Sequence, residues 1–216
     1  MSSLCKGVYM LNTKNLNEDF DHKAINIGKE IIRQDIDTLQ NLSTSLDQSF
    51  VEAATKVCNC QGLVWITAVG TSTAVGTRFA HILTCSGKRS MFLSPSDGLH
   101  GHTNILRKKD LLIAISRGGE SREVIQMVEI ANDLGTETLA FVSNPDSRLA
   151  EISKLTLLIP CKQEYELMGY LATTSTIAYS AICDALCAIV ASKKGFSPKT
   201  FAKIHPGGAV GKTLNP

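Results

Sequence analysis

The sequence predicts an α/β fold, a parallel sheet of five strands with helices on both faces. Five short apolar runs, at residues 63–67, 90–93, 110–116, 138–142 and 155–159, alternate with helical stretches, which is the pattern of successive βαβ units. Residues 111–115 are apolar without interruption, as expected of a strand buried on both faces rather than one. The segments that leave the first four of these strands, after Thr67, Leu93, Ser116 and Val142, are rich in polar and small residues, and in an open parallel sheet the loops beyond the carboxyl ends of the strands hold the ligand.

Composition sets the outer bounds. A chain of 216 residues, 44% hydrophobic and 19% charged, fits one globular domain, expected over residues 19–216 after a loose leader at 1–18. Lys plus Arg number 22 against 20 Asp plus Glu, and a net charge of +2 is too small for a surface dedicated to nucleic acid or anionic lipid. The apolar stretch 181–191 is broken by Asp184 and falls short of the roughly 20 residues that cross a bilayer. The first thirty residues carry Lys6, Lys14, Glu18, Asp19, Asp21 and Lys23 and lack the apolar core of a secretory signal, so a cytoplasmic location is expected. Seven scattered cysteines agree with reduced thiols used as small apolar fillers; Cys58 and Cys60 have no second pair nearby to complete a zinc knuckle.

In chain order, Ile25, Ile27, Ile31, Ile32, Ile36, Leu39 and Leu42 recur at steps close to three and four and predict an amphipathic helix over 19–42. A second helix follows over 47–60, with Asp47 or Ser49 as its cap. The first strand leads through Gly70-Thr71-Ser72-Thr73 into a helix containing Phe79, Ile82 and Leu83. The third strand leads through Gly118-Gly119 into a helix over 124–134. A long helix at 173–192 and a short one at 198–204 close the chain before HPGGAVG. The apolar face of the first helix is broader than one layer can cover, which predicts burial against another subunit and a closed two-fold assembly, a homotetramer.

Two loops carry the chemistry. Gly70, Thr71 and Ser72 set backbone N–H groups and hydroxyls at a helix start, where an anion meets the positive end of the helix; Ser72 or Thr73 acting only as a cap is the alternative. The spacing is neither G-x-G-x-x-G nor G-x-x-x-x-G-K-[ST]. Ser116-Arg117-Gly118-Gly119-Glu120-Ser121 repeats the device after the third strand, with Ser116 and Ser121 offering hydroxyls, Gly119 a close backbone approach, and Arg117 either a charge for the anion or a solvated side chain. Two such loops facing one cleft favour a phosphorylated small molecule.

The order AVGTSTAVG, LSPSDGLHG, ISRGGESREV, SNPDSRLA, ATTST and HPGGAVG resembles the sugar isomerase (SIS) domain, and within it the arabinose-5-phosphate isomerase branch, over about residues 20–214. The resemblance implies a flavodoxin-like three-layer αβα sandwich, a dimer of dimers, and the interconversion of an aldose phosphate and a ketose phosphate without a cofactor. It also implies a functional set of Glu123, Glu164 and His205, with His100 contacting substrate and His205 entering a neighbouring subunit's cleft. The branch lysine of the first loop is Thr71 here, the central serine of the second loop is Gly118, and a metal-ligand histidine of relatives is Ser94, so no metal site is expected. Residues 165–170 also depart from the Cys-Pro-Leu-Gly character of relatives. The paired cystathionine-β-synthase domains that often follow are not expected in this chain.

The residue types suit that reaction. Moving a carbonyl between carbons 1 and 2 needs a base to lift a proton beside it, an acid to protonate the enediolate and a group to open the ring. Carboxylates raised by burial and a histidine titrating near neutrality supply these. Glu123, at a helix start, also serves the helix dipole; Glu164 and Glu166 both read as ordinary surface charge by composition; His205 stands before the rigid turn Pro206-Gly207-Gly208. Losing one preorganised charge costs roughly 3–4 kcal/mol at a transition state, and Arg117 and Lys88 are the cations available to replace the missing lysine. Two other functions remain open at this level: a sugar-phosphate sensor without efficient catalysis, and a nucleotide-binding flavodoxin-like domain.

Overall fold

The computed structural model describes residues 20–207 together with 211 and 213; the expected leader at 1–18 lies outside them. Helices α1 (Phe20–Thr44) and α2 (Gln48–Asn59) precede β1 (Val64–Ala68), α3 (Thr71–Cys85) and β2 (Ser90–Phe92). A single turn, α4 (Pro95–Gly98), and a 3-10 turn (His102–Ile105) lead to β3 (Leu111–Ile115), α5 (Arg122–Asp133), β4 (Glu137–Val142), α6 (Arg148–Ile152) and β5 (Leu155–Leu158). A second 3-10 turn (Gln163–Tyr165), α7 (Thr174–Lys193) and α8 (Pro198–Ile204) complete the described chain. The strands form one sheet in the order β2-β1-β3-β4-β5, every pair parallel, which is the flavodoxin-like order.

Strand periodicity divides the core into two layers. Val64, Ile66 and Ala68 of β1, Leu111, Ile113 and Ile115 of β3, and Leu139 and Phe141 of β4 face α2, α3 and α7. Trp65, Leu112, Ala114, Ala140 and Val142 face α5 and Leu149 of α6. Every residue of β1 and β3 is buried, so the uninterrupted apolar runs reflect two covered faces.

Helix α7 is longer than the apolar stretch expected from sequence: its 20 residues match a bilayer crossing in length and composition, and half of its apolar window is buried inside the protein. Ala178, Tyr179, Ile182, Cys183, Leu186, Cys187 and Val190 lie in the core, while Asp184 takes both terminal nitrogens of Arg78, at 2.8 and 2.9 Å, on the outer face. Its apolar character is that of a core helix. Helix α1 packs beside it through Leu39 and the buried Leu42, but Ile25, Ile32 and Ile36 are about half exposed along its other side.

The amino-terminal edge of the sheet is closed by Asp110. Its buried carboxylate accepts from Leu63 N (2.8 Å), Trp65 Nε1 (3.0 Å) and Arg107 N (3.0 Å), joining the entries to β1 and β3. Asp47 caps α2, accepting from Ser49 N at 2.8 Å.

Candidate functional site

The sheet order reverses between β1 and β3. Their paired ends, Ala68 beside Ile115, bring the two serine loops out side by side, after which one chain turns to α3 on one face and the other to α5 on the opposite face. The divergence opens the crevice in which open α/β sheets bind ligands.

On the first side, Gly70 takes φ +58 and Thr71 begins α3. No side chain caps this helix: Thr73 Oγ1 turns back to Ala68 O at 3.2 Å, leaving Thr71 exposed and Ser72 half-buried at the rim. On the second side, Ser116 Oγ accepts from Gly119 N at 3.2 Å and lies 3.3 Å from Ser121 Oγ, so its hydroxyl also organises the loop internally. Ser121 precedes α5 without capping it, and Glu123 follows, exposed, in the first turn. Gly119 is buried at φ +71; a Cβ there would stand 2.1 Å from Ser147 Oγ, and Leu149 N donates to Gly119 O at 3.0 Å, seating the loop on the start of α6. Gly118, in contrast, is exposed with open space where a Cβ would project.

Glu164 stands exposed at the same edge of the sheet, in the turn after β5. That turn is tied to α1: Tyr165 OH donates to Asp37 Oδ2 at 2.8 Å and Lys162 Nζ donates to the same oxygen at 2.9 Å. Lys162 and then Tyr165 hold the Asp37 carboxyl below its ordinary range, while Tyr165 and Asp37 raise the Lys162 ammonium above its own. His100 and His102 are exposed at the end beyond β2, where Gly98 packs so closely on Met127 of α5 that a Cβ would lie 2.3 Å from its sulfur.

Two expected site residues are elsewhere. Lys88 precedes β2, at the amino-terminal edge, and is buried, its Nζ donating to Cys58 O (3.1 Å) and Cys60 O (2.5 Å). Burial pushes its ammonium below the usual lysine range. It is a structural cation at the far end of the sheet and, contrary to the expectation from sequence, does not reach the crevice. His205 follows α8, whose approach is anchored at that same far end: Lys193 Nζ reaches Asn59 Oδ1 at 2.8 Å, and Phe196 lies against Gly87. The imidazole stacks on Phe201 at 4.9 Å with Nδ1 buried and, among the described residues, unpartnered. The described chain does not bring His205 into its own crevice.

Glu166, read from sequence as surface charge, is buried, its side chain fully so. Oε2 accepts from Thr173 N at 2.6 Å, and Oε1 lies 3.3 Å from Arg117 Nε, out of line for a hydrogen bond; neither Oε1 nor Nε has another partner among the described residues. Ser143 Oγ donates to Ile159 O at 2.7 Å and lies 3.0 Å from Tyr179 OH, and burial raises both the Tyr179 phenol and the Cys161 thiol. Nothing local in the sequence sets Glu166 apart from Glu164, since its cation lies in the distant loop after β3.

A cavity of about 730 Å³ opens at the opposite end, among Val51, Lys56, Lys109, Glu137, Lys154 and Leu155. It lies at the amino-terminal edge, and Glu137 there is already shared by Lys56 and Lys154. None of the loops described above reaches it, so the crevice at the carboxyl edge is the candidate site.

Fold and crevice together define a doubly wound α/β domain with two hydroxyl-bearing loops at its switch point. The profile of the SIS domain family matches residues 59–189, and the chain belongs to that family. It is 30% identical over 187 residues to an arabinose 5-phosphate isomerase KdsD of Salmonella typhi, an alignment covering 87% of this chain and 57% of that protein. The chain therefore spans little more than half the length of that curated relative. A Listeria monocytogenes structure described as a candidate sugar-phosphate isomerase superposes with a TM-score of 0.82 at 26% identity, covering 86% of this chain and 98% of that one. A structure from Escherichia coli CFT073, solved as a ligand complex, gives the same TM-score and the same coverage at 24% identity, a likeness of fold.

Proposed function

We propose that this protein is a phosphosugar aldose–ketose isomerase that interconverts D-ribulose 5-phosphate and D-arabinose 5-phosphate without a cofactor. The observation that carries the reading is the emergence of the two serine loops side by side at the β1/β3 switch point of a SIS-family chain, with Glu123 and Glu164 at the same edge. The phosphate is bound by Gly70, Thr71 and Ser72 together with Ser116, Gly119, Ser121 and Arg117, and His100 touches the sugar. One glutamate, Glu164 in this scheme, takes the proton from the carbon beside the carbonyl; the electron pair moves to form the enediolate, and the proton returns to the neighbouring carbon. Glu123 and His205 share protonation and ring opening.

Because His205 sits away from its own crevice, the scheme draws it from another subunit of a homotetramer in which the exposed Ile25, Ile32 and Ile36 of α1 are covered. His205→Ala should leave folding intact and cut turnover roughly 100-fold or more. Mixing it with Glu164→Ala should then restore part of the activity, through hybrid sites that receive both native side chains. No recovery after verified subunit exchange contradicts sharing, and a monomer in light scattering at micromolar concentration contradicts the assembly.

The direct test is turnover in deuterated water: label at carbon 2 of recovered aldose supports the enediolate, and neither turnover nor label across pentose and hexose phosphates refutes the enzyme. Thr71 and Gly118 favour one alternative, a sugar-phosphate sensor, which calorimetric binding without isomerisation would establish.

A further inference from the structure

The first loop carries Thr71, so the crevice needs another cation if a phosphorylated ligand is to be neutralised there. Lys88 is at the far end of the sheet, and Lys162 is engaged by Asp37 and Tyr165. Arg117 leaves β3 directly into the crevice. Its main chain is fixed, because its carbonyl accepts from Ser143 N at 2.9 Å, and its side chain keeps a quarter of its surface exposed although Nε is buried against Glu166. No other hydrogen bond or ion pair involves this guanidinium among the described residues.

Glu166 is equally constrained. It is fully buried, held from one side by Thr173 N at the start of α7, and its only countercharge among the described residues is Arg117. A buried ion pair of this kind is poor evidence of stabilisation, since desolvation of both charges offsets their attraction. Here it is also incomplete, with Nε and Oε1 misaligned and otherwise unpartnered among the described residues. Such a pair makes sense as a mount. A buried carboxylate 3.3 Å from Nε draws the inner edge of the guanidinium by charge and leaves the outer N–H groups for a phosphate oxygen.

Building on the reading of the crevice as a phosphosugar site, we propose that Glu166 is a positioning residue: it grips Arg117 from beneath so that the outer edge of the guanidinium binds the substrate phosphate, supplying the cation that Thr71 does not. Charge at Glu166 acts on the ligand only through Arg117.

The test is a double-variant cycle on the full chain with Arg117→Met, Glu166→Gln and the two combined. D-Arabinose 5-phosphate is the probe for steady-state kinetics, and inorganic phosphate and the sugar phosphate are the probes for calorimetry, with thermal unfolding recorded alongside. Glu166→Gln should raise KM and the phosphate Kd about tenfold with a smaller change in kcat, and Arg117→Met should weaken phosphate binding on the order of 10- to 100-fold. Adding Glu166→Gln to Arg117→Met should change nothing further. Arg117→Met with Glu166→Leu, a neutral apolar replacement, should fold and still bind phosphate weakly, which separates binding from stability. A Glu166→Gln protein that unfolds earlier but binds as the wild type does overturns the proposal, as does a Glu166 effect that persists in the Arg117→Met background. Wild-type protein that binds phosphate without turning over the sugar leaves this proposal standing and removes only the isomerase reading. Wild-type protein that binds neither ligand removes both.

Discussion

Gly118 and Gly119 are neighbours in one loop, yet alanine at each should have opposite consequences. At Gly119, φ is +71, and an added Cβ would lie 2.1 Å from Ser147 Oγ and 2.4 Å from Ser147 Cβ. The left-handed backbone costs a residue with a side chain about 1–2 kcal/mol. The overlap cannot be relieved by moving a flexible tip, because Ser147 is 1% exposed, starts α6 and donates to Asn144 O at 2.8 Å; forcing it aside adds about 1–3 kcal/mol. The total is about 2–5 kcal/mol, and at about 2–4 °C per kcal/mol for a domain of this size Tm should fall by about 4–20 °C. At Gly118 there is no positive φ and nothing within 4 Å of the added carbon, so alanine should leave stability within about 1 kcal/mol and tend to raise it by restricting the unfolded chain. Calorimetric unfolding of the two variants side by side measures the difference. Equal Tm values would refute the view that the second serine loop is seated by backbone contact with α6.

Asp110→Ala should destabilise by about 1–3 kcal/mol, because the buried Trp65 Nε1 and the part-buried Leu63 N lose their acceptor, while Arg107 N, on an exposed residue, can turn to water; chemical denaturation reads this directly. Lys56, and then Lys154, depress the Glu137 carboxyl, so its contribution is present above the ordinary glutamate value near 4.3 and is lost as pH falls through the lower folded value. All three side chains are around 40% exposed, so the stability gap between wild type and Glu137→Gln should be at most about 1 kcal/mol at pH 7, shrinking towards zero in acid; a gap that widens in acid would reverse the sign of the argument. Burial raises the Cys183 thiol well up and the Cys187 thiol to about 12, so an alkylating reagent at pH 7 should modify neither until the protein unfolds, as peptide mass mapping would establish.

The strands are legible in the sequence because each announces itself locally: residues 111–115 admit no polar side chain, and the first four strands each run into a loop of small and polar residues. Helices α1, α2 and α5 are legible by their apolar period, and α7 by the length and apolar composition of its stretch. The single-turn α4 and the five-residue α6 are not, since neither is long enough to display a helical repeat. At the site, the loops stand out because glycine and serine report on backbone geometry, which is local. Lys88 and Glu166 are misleading in sequence because a lone charge carries no local sign of its partner. Lys88 finds its acceptors at Cys58 and Cys60, and Glu166 finds its cation 49 positions earlier, contacts that only the folded sheet creates. His205 marks the other limit, where one chain's fold does not by itself say which crevice a side chain serves.

The seat of Trp65 has a practical consequence. It is the chain's one tryptophan, and its indole is buried on the α5 side of the sheet with its N–H held by Asp110 at the amino-terminal edge. An optical probe in that position is blind to events at the opposite edge, where ligands enter. Intrinsic emission will therefore track loss of the sheet as a whole and remain unmoved when the crevice fills. A titration that shows no spectral change is the signature of where the indole stands, and it is silent on whether a ligand has bound.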